Sequence, residues 1–531
     1  MSCVLLLSVR ATTRLVQQAL SVASSKLVHA LYVIPHGFFL PSSETDEKQK
    51  RSSIFEFMSS VYSTASNKHP DLNVRVSLNL AENMTSELQY DPDVIITDPN
   101  SSELVRKLFG SKSLSVTHLE GKMDEGTFFS DIKSSFGVFR NVVLGGTFDR
   151  LHTGHKYLLS SALLHCSERL VVGISDGPLV CGKLLEELIE PYDFRAKSVV
   201  EFANEVCSGV KCETVAIFEP LGPTATDESL ECLVVSQETA RGGEKVNQIR
   251  EKKGLNPLTL EVVELMTTPQ SHEAGQKLSS SFMRRQSLGH LRQPTSEHSY
   301  VLPWLRSRNI ESRSVVKTTA FQVYVIGLTG GIASGKSSIA KMMSAEGAGI
   351  IDCDKLGHDA YLPETEAYTK VIETFGSDVK SDDGQINRKA LGAIVFKEKA
   401  KLQQLCEIVW PEIARLAEQS IEKYATEGKK VCVLDAAVLL EAGWDRYVHE
   451  VWVTIIPHDE TVRRVMRRDG ISEEEVVRRL ESQMSNLERV KKADVVLSSL
   501  WERNETQQQV LVAMSELQER VAAFQSQQAR L

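Results

Sequence analysis

Two glycine-rich loops, each set between an apolar strand pattern and a helix start, constrain this chain more than anything else in it. The first runs Gly145-Gly146-Thr147-Phe148-Asp149-Arg150-Leu151-His152-Thr153-Gly154-His155, after Val142-Val143-Leu144 and before Tyr157-Leu158-Leu159 and Ala162-Leu163-Leu164. The second runs Gly330-Gly331-Ile332-Ala333-Ser334-Gly335-Lys336-Ser337, after the strand pattern Val323 to Leu328 and before Ser338-Ile339-Ala340. A strand that feeds a glycine turn and then a helix N-terminus offers backbone N–H groups and a positive dipole end to an anion. The two loops differ in sequence, so they are not copies of one repeat. They imply two phosphate-handling α/β domains.

The rest of the chain has to be divided around them. At 531 residues it is long enough for about three domains. Residues 1–136 alternate short apolar runs, such as Val74-Arg75-Val76-Ser77-Leu78 and Val94-Ile95-Ile96-Thr97, with polar helical stretches. They read as a small N-terminal α/β domain without a chemical motif, interrupted by a charged, Ser-rich loop over 42–53. The first loop belongs to a domain over 137–300 and the second to a domain over 320–531, joined by a linker over 301–319. Thr506 to Leu531 carries apolar residues at helical spacing and predicts a terminal amphipathic helix.

From Met1 to Ser43 there is no Asp or Glu, while Arg10, Arg14 and Lys26 are spread among Ser, Thr and aliphatics. Two readings stay open for this stretch. One is a mitochondrial targeting or membrane-surface segment. The other is a strand (Val4 to Val9), a helix from Thr12 to about His29, and a second strand over Leu31 to Ile34. No run approaches the roughly 18 apolar residues of a membrane span. A net charge of -9 argues against a nucleic-acid partner. The 9 cysteines include no C-x-x-C pair, which fits reduced thiols in a cytoplasmic enzyme.

At the first loop, His152 and His155 lie three apart on the first helical turn, where both can face a bound triphosphate. Attack on an α-phosphorus needs no protein nucleophile; it needs positioning and donors that neutralise charge as diphosphate leaves. Gly146, Thr147 and Phe148 form the turn. Downstream, Ser279-Ser280-Ser281 precedes Arg284 at the opening of another helix, and Lys183 follows the strand pattern Leu170 to Ile174. The string G-G-T-F-D-x-x-H-x-G-H resembles the T/H-x-G-H loop of nucleotidyltransferases, and Lys277 to Arg285 resembles that family's second, phosphate-binding motif. With Gly173-Ile174-Ser175-Asp176 and Val235-Ser236-Gln237-Glu238-Thr239-Ala240-Arg241-Gly242, the segment looks like the eukaryotic type of phosphopantetheine adenylyltransferase. That resemblance implies a Rossmann-like nucleotidyltransferase fold that converts ATP and 4′-phosphopantetheine to dephospho-coenzyme A and diphosphate. It also implies ATP contacts from Gly146, Thr147, Phe148, His152, Lys183, Ser279, Ser280, Ser281 and Arg284, with His155 catalytic. The R-G-L/I-R element of the bacterial enzymes is missing.

The second loop is a full P-loop. Amides from Gly330, Gly331, Ile332, Ala333, Ser334 and Gly335 wrap phosphates, Lys336 reaches β/γ oxygens, and the Ser337 hydroxyl, next to Ser338, suits Mg²⁺. Asp352 and Asp354 end the next strand, where either could orient an acceptor hydroxyl; Asp354 is favoured as base. Gly327 through His358 resembles dephospho-coenzyme A kinase. So do Gly384 to Leu391, Leu434-Asp435-Ala436-Ala437-Val438-Leu439-Leu440-Glu441, and Arg463, Arg464, Arg467 and Arg468 on one helix, a lid that would place Arg464 and Arg468 over ATP. Trp410, Ala437 and Ser498 depart from the family's usual His, Pro and Asn. Together the resemblances imply a bifunctional enzyme, with ATP, 4′-phosphopantetheine and dephospho-coenzyme A as small-molecule partners. An adenylyltransferase–kinase fusion acting on nicotinamide compounds is the alternative enzyme, and a membrane-docked scaffold the alternative class. Because residues 1–136 hold no phosphate loop, they are expected to be dispensable for chemistry.

Overall fold

The structure is a computed structural model that describes residues 2–8, 13–26, 30–36, 44–69, 72–78, 93–97, 105, 115–119, 136–264, 279–292, 323–381, 383–395 and 398–528. The linker over 301–319 lies outside the described residues, as do Arg10 and the Lys277-Leu278 start of the second motif. The chain divides into two compact units, Met1–Arg285 and Gln286–Leu531.

The first unit opens with β1 (Ser2–Ser8), α1 (Thr13–Ser25), β2 (Ala30–His36), α2 (Glu44–Lys68), β3 (Val74–Val76), β4 (Val94–Thr97) and β5 (Ser115–His118). These strands form a parallel sheet in the order β3-β2-β1-β4-β5. Strand–helix–strand is therefore the reading realised at the N-terminus. Cys3, Val4 and Leu5 are fully buried in the central strand, as a continuous apolar run in a covered parallel sheet should be. Leu15, Val16, Ala19, Leu20 and Ala23 give α1 its buried face. One expectation fails: residues 44–53 belong to α2 and are not a loop. The acids Glu44, Asp46 and Glu47 precede Lys48, Lys50 and Arg51 at i,i+4 spacing, an order that favours a helix although its charge reads as a loop.

A second parallel sheet lies in the same unit. It contains β6 (Phe139–Gly146), α3 (Thr153–His165), β7 (Cys166–Ser175), α4 (Tyr192–Val206), β8 (Lys211–Ile217), β9 (Cys232–Ser236), α5 (Ala240–Lys252), β10 (Thr259–Val263) and α6 (Ser280–Gln286). Its order is β10-β9-β6-β7-β8. The two sheets are not separate bodies. One hydrophobic core runs through both, joining Phe57, Val61 and Tyr62 of α2 to Tyr157, Leu159 and Leu163 of α3. Tyr62 meets Tyr157 edge-on at 6.2 Å. Its hydroxyl accepts from the Val76 amide at 3.3 Å, and burial pushes its pKa up to about 12. Arg51 donates to the Leu164 carbonyl at 2.6 Å, and the Leu78 amide donates to the Val206 carbonyl at 2.7 Å. The segment expected to be dispensable for chemistry thus shares its core with the domain that follows. Its removal would expose the Tyr157 side of the core, and each large apolar side chain so exposed costs about 1.5–3 kcal/mol.

The second unit contains β11 (Tyr324–Gly330), α7 (Lys336–Ala345), β12 (Gly349–Asp352), α8 (Cys353–Asp359), α9 (Glu366–Phe375), α10 (Arg388–Val395), α11 (Lys399–Thr426) and β13 (Val431–Asp435). It continues with β14 (Glu450–Ile455), α12 (His458–Asp469), α13 (Glu473–Glu481), α14 (Asn486–Lys491), β15 (Val495–Ser498) and α15 (Arg503–Gln528). All five strands are parallel, in the order β12-β13-β11-β14-β15. The terminal helix α15 packs Val510, Ala513, Met514, Leu517 and Val521 onto this sheet. Residues 286–292, expected in the preceding domain, lie in this unit. Leu291 pairs antiparallel with Val495, and the Gly289 amide donates to the Val496 carbonyl at 2.9 Å. The edge strand β15 offers free backbone groups, and a stretch without periodicity gives no sign of pairing with them.

Candidate active sites

The first loop leaves β6 at the carboxyl edge of its sheet, beside the point where the chain order reverses between β6 and β9, the usual ligand position in open α/β sheets. Phe148 (φ 49°) and Arg150 (φ 48°) both sit in the left-handed region. Non-glycine residues hold that conformation only when their surroundings over-determine it, and such strain clusters at ligand sites. Phe148 is buried, and a side chain at Gly146 would come within 3.0 Å of its ring. Asp149, wholly buried, fixes the turn: it accepts from Arg284 at 2.5 Å, from Arg150 at 3.2 Å and from the Glu190 amide at 3.0 Å.

The two histidines stack with ring centroids 3.9 Å apart, and Phe148 lies against His155 at 5.2 Å. Removal from water, and then the charge of His152, hold the His155 pKa well below the usual histidine range. His155 is thus a neutral imidazole at neutral pH, able to donate one N–H without carrying a charge that must be desolvated. Lys183 donates to Thr147 Oγ1 at 2.6 Å, which brings it to the loop from the end of β7; burial lowers its pKa. The second motif arrives as well, in two different roles. Ser279 caps α6 by accepting from the Phe282 amide at 3.2 Å, Ser280 begins the helix, and Ser281 accepts from Arg284 at 3.1 Å. Arg284 itself is 1% exposed and engaged with Asp149 and the Leu184 carbonyl, so it clasps the two motifs together.

In the second unit, Gly335 turns the P-loop at φ +89° against Ser499, and a side chain at Gly330 would strike Ser334 Oγ at 2.6 Å. Ser334 is buried and its Oγ lacks a hydrogen-bond partner among the described residues, while Ser337 and Ser338 are exposed at the start of α7. Lys336 pairs with Asp435 and lies 3.5 Å from Asp354. Burial raises the Asp435 pKa against the opposing pull of Lys336. The two carboxylates at the end of β12 have separate places. Asp352 caps α8 by accepting from the Lys355 amide at 2.9 Å; Asp354 is 55% exposed and faces Lys336. Arg464 reaches the loop, donating to the Ala333 carbonyl at 3.4 Å and to Ser499 Oγ at 2.8 Å. Arg468 does not: it is exposed and bound to its neighbour Asp469 at 2.7 Å. Val462, Val465 and Val476 of α12 and α13 pack with Ile332 and Ala333 of the loop.

Comparison with known proteins decides between the kinase classes that such a loop could serve. The profile of dephospho-CoA kinases matches residues 324–505, and a cytidylyltransferase-like profile matches residues 143–286. A dephospho-CoA kinase of Carboxydothermus hydrogenoformans is 40% identical over 190 residues, which are 36% of this chain and 92% of that protein. One of Geobacter sulfurreducens is 41% identical over 175 residues, 33% of this chain and 89% of that protein. The chain belongs to the dephospho-CoA kinase family. The kinase match stays within the second unit, and the cytidylyltransferase-like match lies almost wholly in the first.

Several residues of both sites escape a reading of the sequence. In the kinase unit Arg489 is 3% exposed, donates to Glu441 at 3.0 Å, and places Nη1 3.3 Å from where a side chain on Gly331 would begin. Its Nε is buried without a partner among the described residues, a donor suited to a phosphate oxygen. In the cytidylyltransferase-like domain Arg195 is 1% exposed and donates to the carbonyls of Thr147 and Ser175, both at 2.8 Å, and to Asp176 at 2.8 Å. It ties the loops after β6 and β7 together. On a sequence both arginines look like the polar side of a surface helix. Only the contact reveals their role.

Proposed function

We infer that this chain catalyses two consecutive transfers: an adenylyl group from ATP to 4′-phosphopantetheine at the first loop, then a phosphoryl group from a second ATP to the ribose 3′-hydroxyl of dephospho-coenzyme A at the second. The observation that carries the reading is the pairing. A kinase unit whose relatives act on dephospho-CoA shares one polypeptide with a nucleotidyl-transfer loop, the kind of site that makes such a compound.

At the first site, neutral His155 donates its N–H to the phosphate oxygens as charge builds on the departing diphosphate, and Lys183 on Thr147 adds a cation beside the same loop. A donor that strengthens only in the transition state raises the rate directly. At the second, loop amides, Lys336 and Arg464 surround the nucleotide's phosphates. Asp354 takes the acceptor hydroxyl's proton, the role that its exposure and the capping duty of Asp352 leave to it. The residues fit Mg²⁺: the exposed Ser337 hydroxyl lies beside Lys336, which Asp435 and Asp354 approach as oxygen donors. The bound ion would neutralise phosphate charge. Mitochondrial association through residues 1–43 rests on their acid-free composition, and would be read from a tagged full chain with and without Arg10 and Arg14. The function is tested by incubating pure protein with 4′-phosphopantetheine, ATP and Mg²⁺. Dephospho-coenzyme A followed by coenzyme A is expected by mass; turnover of nicotinamide mononucleotide instead would overturn the reading.

A further inference from the structure

Next to the first loop, the β3 edge of the N-terminal sheet and the helices α3 and α4 enclose a cavity of about 340 Å³. Asn73 and Arg75 line it from one side; His152, Thr153, Lys156 and Ser198 line it from the other. Lys156 is the unusual member. It is 7% exposed and sits near the N-terminus of α3, where the helix dipole disfavours a cation. Its ammonium donates to Asn73 Oδ1 at 2.5 Å, and no carboxylate lies within ion-pair distance of it among the described residues. The charged group that acts on it is another cation, Arg75. Burial, with Arg75 second, pushes the Lys156 pKa down to about 7. Arg75 pairs with Glu205, yet its Nε is buried without a hydrogen-bond partner among the described residues. Glu201, which also lines the cavity, is exposed and pairs with Lys197 at 3.7 Å. A buried ammonium without a counter-ion is costly and sheds its proton more readily, and an anion in the cavity beside Lys156 and the unpartnered Arg75 Nε would restore that charge.

We propose that this cavity is a phosphate-binding subsite, made jointly by the N-terminal sheet and the adenylyl-transfer domain, in which Lys156 and Arg75 bind the phosphoryl group and Asn73 holds Lys156 in place. His152 and Thr153 belong both to the cavity wall and to the nucleotide loop, so a diphosphate of nucleotide origin can reach it. A separate phosphorylated small molecule meets the same donors. The nucleotide origin rests on the function proposed above; the anion chemistry does not.

Inorganic diphosphate is the probe, titrated by calorimetry into the full chain carrying Lys336→Ala to silence the P-loop. Adding Lys156→Met should weaken diphosphate binding about tenfold or more, the worth of a charge-assisted hydrogen bond. Arg75→Met should weaken it less. Asn73→Asp, which keeps a partner for Lys156 but supplies the missing negative charge, should also weaken it while raising the melting temperature. Circular dichroism establishes that each variant is folded. Displacement of diphosphate by a non-hydrolysable ATP analogue would assign the subsite to the nucleotide's own phosphates. Simultaneous binding would assign it to a separate phosphorylated ligand, and either result supports the subsite. Folded Lys156→Met and Arg75→Met chains that bind diphosphate as their parent does would overturn it. No acceptor is present in these titrations, so the result is independent of whether the chain makes dephospho-coenzyme A.

Discussion

The first unit contains two five-stranded parallel sheets with the same strand order, each with its first strand at the centre, flanked by its second and fourth. They differ in the segment that leaves that first strand. After β1 the chain reads Val9-Arg10-Ala11-Thr12, and after β6 it reads Thr147-Phe148-Asp149, behind the two glycines that close β6. Topology delivers a strand end and a helix N-terminus in both places. Phosphate chemistry needs the bare backbone and the two left-handed residues that the loop after β6 has, while residues 9–12 lie outside the described residues. Among its described residues the N-terminal sheet supplies no such loop, only a wall beside one, and function follows the loop more than the fold.

The strongest way to break that comparison is to remove one sheet. A chain starting near Phe136 should lose the folded first unit, because Tyr157, Leu163 and Cys166 would lose the α2 side of their core. Rapid proteolysis of the remaining first unit, with kinase activity retained, is the expected pattern; a stable, active truncation would show the sheets to be independent. Tyr62→Ala tests the same joint with one residue. Emptying so large a buried site costs about 3–5 kcal/mol, and a urea titration should show the loss in the first unit's transition and not in the second's.

His155→Ala addresses the loop that sets the sheets apart. Losing one directed donor is worth about 3–4 kcal/mol, or about 10²–10³ in rate. Dephospho-coenzyme A formation should fall by that factor while phosphorylation of added dephospho-coenzyme A continues. Lys336→Ala should do the reverse, with dephospho-coenzyme A accumulating. The smallest effect is one of pH. A histidine whose folded pKa lies below its ordinary value of 6.5 takes up a proton more readily when unfolded, so folding stability is full above that value. It declines as the pH falls from there toward the folded pKa. Chemical denaturation from pH 7.5 to 5.5 should show the decline in the first unit, and His155→Gln should reduce it.

Much of this is legible in the amino-acid sequence. The strands, both glycine loops, their helices and the terminal α15 are carried by local pattern, and local pattern is what a sequence states plainly. Residues whose meaning depends on distant partners are not legible in that way. Arg284 looks like a phosphate ligand until Asp149 is seen beneath it. Arg195 and Arg489 sit on helices where a charged residue ordinarily faces water. Asp352 and Asp354 are indistinguishable as letters, and a single capping hydrogen bond separates them. The shared core of α2 and α3 is hidden for the same reason: two amphipathic helices do not announce which faces meet.

The pairing of Lys336 with Asp435 and Asp354 has a consequence for the order of events. The lysine's charge is claimed by carboxylates of the same protein. Incoming phosphates compete with those carboxylates for the same cation, so seating a nucleotide exchanges one set of oxygens around Lys336 for another. One exchange at a single ammonium would thus release Asp435 and Asp354 together, which ties the seating of phosphate to the freedom of two side chains on different elements.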